Sequence, residues 1–494
     1  LEVLFQNAKN GEKTASVNGL FINSSYNPSK EAERFIEQLQ ISWIPLIFFI
    51  LEPGIPYILS FLKEKFPSSK FCVIHFSSDF SDYDFQYDFV LNAFEFDFEK
   101  KLVNSFSEEL LLSSFFLNWV PSSKIYSKIC EETNIIIKKT LERSKTLLIT
   151  RQYFEKKWLI NACNFIRYIK KPLFLNSKID KNILIISSGP SLFDSIELIK
   201  KYRQIFYIIC LSSAITVCLH NDIIPDLCLS TDGGYWAGEH LKKLNKKNIP
   251  LALPSESFCK KNILTGNKIL PLDYGDGLSS KLLEDSGIKF AKAERNGTVS
   301  GTALCFALAN SDKDIFFCGL DMSNQKGRQH CYPNEIEDNN CLTDNFLMSF
   351  ELRSVQSEYS KGSLDIYKSW FENFDLKGRN VYRIIEEKYK KNSLGQVKDI
   401  NRSQFEYAAK DIYSKKITSE NKEVLTHQSA EKDFPKIIKK INLIFDSKET
   451  IKQLFPLDYT VLLHQPDSVE LKTKIEKETA QLSAKIRKIF DEYI

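Results

Sequence analysis

Between residues 183 and 318 the chain repeats one rhythm: a short apolar run, a turn of small residues, then a helical period. The runs fall at 183–186, 206–211, 227–230, 250–253, 269–272 and 314–318. Near-continuous apolar runs suit strands buried on both faces, and strands alternating with helices imply right-handed crossovers. The predicted class is therefore α/β, with a central Rossmann-like, mostly parallel sheet. Ligands in such sheets gather at the carboxyl ends of the strands, so the turns after these runs carry the candidate site.

The flanks read differently. Residues 7–145 form a smaller α/β domain, with a strand at 47–51, a tight loop at Glu52-Pro53-Gly54, a helix at 55–66 and a strand at 71–76. The single glycine of that loop marks a degenerate, structural Rossmann-like fold. The stretch 41–62 is mostly apolar, but Pro45, Pro53, Gly54 and Pro56 interrupt it. A membrane-spanning helix needs about 20 consecutive apolar residues, so no span is expected. Leu1 to Gln6 reads LEVLFQ, which resembles a viral protease recognition site, and is taken as an expression scar outside the fold. The central domain is placed at 146–375, opening with a connecting helix at 147–171. A lysine-rich helical domain follows at 376–494, with helical character from about 344 and a long amphipathic helix at 468–494.

Composition narrows the function. Hydrophobic residues are 43% and charged residues 26%, which is ordinary globular material and excludes disorder. A net charge of +4, from 67 basic and 63 acidic residues, is too weak for a nucleic-acid binder. The 11 cysteines include no C-x-x-C pair, and Cys210, Cys218, Cys228, Cys305 and Cys318 lie in apolar runs. They read as reduced, buried side chains of a cytoplasmic protein.

Four segments carry chemistry. Ser187-Ser188-Gly189-Pro190-Ser191 follows the first central run and opens a helix; a glycine, a proline at the helix start and serine donors suit an anion. A plain capped turn explains it equally well, and it is neither a P-loop nor G-x-G-x-x-G. Asp232, before Gly233-Gly234, stands past the third run, where a carboxylate could meet a ribose, an amine or a metal. Asp226, at the other end of that strand, is read as structural, and His240 as a solvated helix histidine. Asn296-Gly297-Thr298-Val299-Ser300-Gly301-Thr302 crowds hydroxyls at a helix start, favouring ligand contact over close packing. Gly319-Leu320-Asp321 ends the last run, and a polar loop leads to His330 and Tyr332. Histidine is the side chain best suited to take a proton near neutral pH.

These segments together resemble the motility-associated factor (Maf) glycosyltransferases and their relatives described as 6-hydroxymethylpterin diphosphokinase-like. Gly189-Pro190-Ser191-Leu192, Pro225-Asp226 with Asp232, Thr298-Val299-Ser300 and Gly319-Leu320-Asp321 with His330 carry the resemblance. Tyr26 to Ala32 and Trp158-Leu159-Ile160-Asn161 also look family-like. The resemblance implies transfer of a nonulosonic, sialic-acid-like sugar from a CMP-activated donor to Ser or Thr of flagellin. One departure is the Ser-Ser-Gly-Pro-Ser turn, where related sialyltransferases have a further glycine and an asparagine. That departure leaves the nucleotide open.

On this reading His330 is the general base, and Asp321 orients it or positions the acceptor. Ser188, Gly189, Pro190, Ser191, Asn296, Thr298, Ser300, Thr302 and Tyr332 hold the donor. Ser212 and Ser213 meet the nucleoside, and Asp232 with Gly233 meets ribose or a cation. No resident cofactor is assigned, the CMP-activated sugar being the donor substrate, and a divalent cation is left open. The rivals are a pterin diphosphokinase using Asp232 and Asp321, and a non-enzymatic flagellin-binding factor. Basic residues at 377–391 read as a solvated helix face rather than an acceptor surface.

Overall fold

The computed structural model describes residues 3–245, 247–324, 327–352, 362–389, 391–414, 424–429 and 431–493. The chain divides into two compact units. One comprises Leu1–Glu155 with Ser447–Gln481, the other Lys156–Asp446 with Leu482–Ile494.

The first unit has two sheets. Strands β1 (Val3–Asn7), β2 (Lys13–Val17) and β3 (Leu20–Phe21) form an antiparallel sheet. β1 pairs with β2 from Val3–Val17 to Asn7–Lys13, and Phe5 meets the Phe80 ring edge-on at 5.7 Å. Val3 to Gln6, the described part of the segment set aside as a scar, thus pair within β1, whose residues after Val3 are all exposed. β4 (Ile47–Leu51), β5 (Lys70–His75), β6 (Phe89–Asn92) and β7 (Phe115–Asn118) make a parallel sheet in the order β6-β5-β4-β7. Its core is aromatic: Phe49 stacks on Phe116 at 4.5 Å and meets Phe106 at 4.9 Å. The turn after β4 is filled from within. Asn23 donates to the carbonyls of Pro53 and Ile55 and accepts from Ile55 N–H. A Cβ on Gly54 would lie 2.7 Å from Asn23 Oδ1, so this turn keeps its glycine for Asn23. The segment from Tyr26 to Ala32 starts the helix Pro28–Glu37, with Asn27 accepting from Lys30 N–H and Pro28 in the first turn.

The second unit is built on one large sheet. Its strands are β8 (Lys171–Leu175), β9 (Asn182–Ile186), β10 (Phe206–Leu211), β11 (Leu227–Leu229), β12 (Leu251–Pro254), β13 (Lys268–Asp273), β14 (Ala291–Lys292), β15 (Ile315–Cys318), β16 (Val381–Ile384), β17 (Lys398–Ile400) and β18 (Leu425–His427). The order is β17-β16-β15-β9-β10-β11-β12-β13-β8-β18, with β14 beside β13, and only β18 runs antiparallel. Ile183, Ile185, Ile209, Leu227, Leu270 and Phe317 pack against Ala303, Leu304 and Phe306 of the helix Val299–Asn310. Each such side chain, fully buried, contributes about 1.5–3 kcal/mol for a Leu, Ile or Phe.

After β8, which ends up beside β13, the chain lays β9, moves outward through β10 to β13, and then returns to place β15 on the other side of β9. That reversal opens a crevice at the carboxyl ends of β9 and β15, the position where open α/β sheets bind ligands.

After residue 375 the structure differs from the expected helical run. β16, β17 and β18 all join the sheet. β16 escapes a hydrophobicity search because its third residue is Arg383, which is fully buried and paired with Asp399 at 2.7 Å. The basic stretch 377–391 therefore contains a buried strand rather than a helix face, and Lys390 lies outside the described residues. From Phe434 the described chain is helical, ending in Val469–Ile489. The connecting helix is longer than expected, Ser127–Tyr168. Among the described residues no helix is long and apolar enough to cross a membrane.

Candidate functional site

The turn after β9 faces the turn after β15 across the crevice, and two glycines let them touch. Gly189 N–H donates to Gly319 O at 2.8 Å. A Cβ on Gly189 would sit 2.5 Å from that oxygen, and one on Gly319 would sit 2.3 Å from Ser187 O. Gly319 also has φ +69°, which disfavours any side chain. The glycine of the first motif is therefore used by the protein's own backbone.

Asp321 occupies the start of the helix Leu192–Tyr202. Its Oδ2 accepts from Ser191 N–H at 2.8 Å and its Oδ1 from the Ser191 hydroxyl. Burial raises the Asp321 carboxyl, and the two Ser191 donors offset part of that. A carboxylate is an anion, so the anion site expected at Ser191 is already filled from within the chain. The expected pairing of Asp321 with His330 is not formed, because the carboxylate points into the turn.

His330 has another partner. Its Nδ1 lies 3.4 Å from Glu337 Oε1, and that same oxygen accepts from the N–H groups of Gln329 at 3.0 Å and His330 at 3.1 Å. Glu337 is buried on the helix Glu335–Thr343. Burial works to raise its carboxyl, but the His330 ring and the two N–H groups hold it below the usual range. The pair has the arrangement of a proton-accepting imidazole and the carboxylate that orients it.

The loop bearing His330 closes on the serines. Cys331 N–H donates to Ser188 O at 2.6 Å, and the Asn334 amide donates to Ser213 O at 2.8 Å. The Ser213 hydroxyl donates to the Ser188 hydroxyl at 2.8 Å, and those of Ser187 and Ser300 lie 3.4 Å apart. The structure thus brings together the turns after β9 and β10, the start of the helix Val299–Asn310 and the His330 loop. Ser212 is buried at the base of its turn, and Tyr332 is exposed at the rim. Thr298 makes no side-chain cap, so the first turn of the helix Val299–Asn310 keeps its N–H groups free of a capping side chain. Asn296 instead accepts from Thr298 N–H at 3.4 Å and from the Thr302 hydroxyl at 3.2 Å. Gly301 serves packing, since a Cβ there would lie 2.9 Å from the Trp370 ring.

Asp232 stands apart from the serines in its bonding. It is exposed, accepts from Gly234 N–H at 2.8 Å, and its carbonyl accepts from Phe258 N–H. Gly233 lies against Trp158, where a Cβ would come within 2.8 Å of the ring nitrogen. Beyond it, Arg295 bridges Glu256 (2.6 and 2.9 Å) and Asp276 (2.8 Å), with Trp158 and Tyr274 against its guanidinium at 5.1 and 4.4 Å. Burial raises the Glu256 carboxyl despite Arg295, and this bridge ties the turn after β12 to the turn after β14. Asp226 binds Arg203 and Ile208 N–H at the amino end of the sheet.

His240 departs from the solvated reading. It is buried, and its Nδ1 lies 2.6 Å from Glu335, whose other oxygen accepts from Thr216. A histidine on a helix can face the core as readily as solvent, and the acid that satisfies it is 95 residues away in sequence. Glu337, Glu335, Asn334 and Arg295 are the residues that sequence reasoning missed. Glu337 alone left a signal, an acid seven residues after His330 at the start of a helical period.

Residues 156–327 match the family model of the 6-hydroxymethylpterin diphosphokinase MptE-like proteins, a span that includes Ser188 and Asp321 but ends before His330. An uncharacterized protein of Treponema pallidum (strain Nichols) is 27% identical over 315 residues, covering 63% of this chain and 69% of that protein. A second from the same organism is 27% identical over 131 residues, covering 26% of this chain and 61% of that protein. The solved structure of the MAf glycosyltransferase from Magnetospirillum magneticum AMB-1 matches 100% of this chain and 90% of its own, with a TM-score of 0.54 at 12% identity. Along its whole length the fold of this chain is therefore similar to that of a Maf glycosyltransferase, and its central segment matches the MptE-like family model.

Proposed function

We propose that this protein is a glycosyltransferase moving a sugar from a nucleotide-activated donor to a hydroxyl acceptor. The observation that carries the reading is the His330–Glu337 pair, held against the Ser188–Ser213 cluster by the Cys331 hydrogen bond. With Nδ1 turned to Glu337, the neutral ring keeps its proton there and presents Nε2 to the acceptor hydroxyl. As the ring takes the hydroxyl proton it becomes cationic, and Glu337 stabilises that charge. A general base in this position is worth about 10²–10⁴ in rate. Charge grows on the departing phosphate at the same time. The Ser188 and Ser213 hydroxyls and the first turn of the helix Val299–Asn310 are preorganised donors for it. Asp321 takes no part in the proton transfer and shapes the turn.

The finer reading is a CMP-linked nonulosonic donor and Ser or Thr of flagellin as acceptor. What supports it is the family resemblance of the four sequence segments together with the His330–Glu337 pair. Asp232 and Gly233 would meet the donor's ribose. No cluster of three His, Cys, Asp or Glu side chains that could hold a metal ion forms among the described residues.

A pterin diphosphokinase is favoured by the MptE-like match alone. Its two carboxylates would need to converge, whereas Asp321 is engaged by Ser191 and Asp232 by Gly234. Thermal shift with CMP and with ATP separates the readings, because a ligand at 100 times its dissociation constant adds about 2.7 kcal/mol. Intact-mass analysis of flagellin from cells with and without the protein tests the acceptor. Flagellin capture without nucleotide, together with an unchanged flagellin mass, would establish a binding factor instead.

A further inference from the structure

We propose that Arg328 receives the phosphate of the donor. This rests on the reading of a nucleotide-activated sugar given above and names a residue that the reading has not used.

A departing phosphate needs positive charge opposite it, and two arginines of this unit are already committed. Arg295 is bound to Glu256 and Asp276. Arg383 is bound to Asp399 and to the carbonyls of Leu320 and Asn392. Arg328 has no carboxylate, carbonyl or hydroxyl partner among the described residues, and its Nε is buried without a hydrogen bond. Its guanidinium lies 5.6 Å from the Tyr332 ring and 5.7 Å from the Phe350 ring. Two aromatic faces fix the plane of the group and leave its N–H edge to a ligand.

Chain position puts this cation at the site. Arg328 precedes His330 by two residues, on the loop that Cys331 pins to Ser188. Burying a guanidinium N–H without an acceptor is unfavourable, so the arrangement is that of a half-built pair awaiting its partner. Phosphate oxygens match the guanidinium fork in two parallel hydrogen bonds. Arg328 then opposes the charge that builds on the leaving group while His330 takes the acceptor proton, and Tyr332 at the rim serves by fixing Arg328.

Calorimetric titration of the full-length protein tests this with nucleosides and their 5′-monophosphates, in cytidine, uridine and adenosine pairs. In the wild type one monophosphate should bind at least about tenfold tighter than its nucleoside. In Arg328→Gln that ratio should fall several-fold, the remainder being held by the serine and helix N–H donors, with nucleoside affinity unchanged, which also shows that the variant is folded. Arg328→Lys should recover part of the ratio. An unchanged ratio in Arg328→Gln removes this arginine and leaves the glycosyltransferase reading standing. Failure of every nucleotide to bind the wild type removes both.

Discussion

Asp321 and Glu337 exchange the roles that their positions in the sequence suggest. Asp321 follows a strand end, where catalytic carboxylates often stand, yet two Ser191 donors hold it. Glu337 begins a helix and reaches back to His330. His330→Ala should lower transfer by about 10²–10⁴ with nucleotide affinity unchanged. Glu337→Gln should lower kcat by a smaller factor, roughly tenfold, because the ring keeps a hydrogen-bonding partner but loses its counter-charge. Single-turnover kinetics on flagellin would check both, and equal activity of wild type and Glu337→Gln would remove the pair from the mechanism. Asp321→Ala should instead cost about 1–3 kcal/mol of stability, since it leaves the buried Ser191 donors unpaired. Urea unfolding would read that loss. His330 was legible as a candidate base because it lies on the polar loop that follows a strand end. Its partner was not, because an orienting acid is chosen by space rather than by spacing.

The same contrast holds for whole elements. Strands β9, β10, β12, β13 and β15 fall within a residue or two of their apolar runs, since a strand buried on both faces writes itself as such a run. β16 does not, because Arg383 is satisfied by Asp399 from the neighbouring β17, a pairing no local pattern reveals. The turns were visible as glycine and serine, but which glycines face a ligand was not. Gly319→Ala should destabilise the protein by more than about 2 kcal/mol, as its Cβ would meet Ser187 O at 2.3 Å and its φ is +69°. A thermal melt close to wild type would contradict the close backbone approach on which the crevice depends. In the smaller parallel sheet, burial opposes a charge on His75, but Glu52 at 3.4 Å and Asp84 at 2.7 Å outweigh it and raise its pKa. The stabilisation from the charged ring is full below the unfolded histidine value of about 6.5 and is lost as pH rises through the higher folded value. The stability difference between wild type and His75→Gln should therefore be greatest near about pH 6 and shrink toward about pH 9. A difference that grows with pH would show that the ring is buried neutral.

At the scale of the molecule, the expected cut at 375 runs through a single sheet. A chain ending there would lose β16, β17 and β18 and strand the β15 edge, so it should be insoluble or lack cooperative unfolding by circular dichroism. A soluble, cooperatively folding product would contradict the continuity of the sheet. The first unit is also discontinuous, taking Ser447–Gln481 from beyond the second. That second, much shorter part is made only after the intervening sheet has been translated. At roughly 5–20 residues per second, the opening segment waits on the order of tens of seconds on the ribosome for its missing complement. A fold closed by its last-made piece thus leaves its first-made piece exposed to chaperones and proteases for that interval.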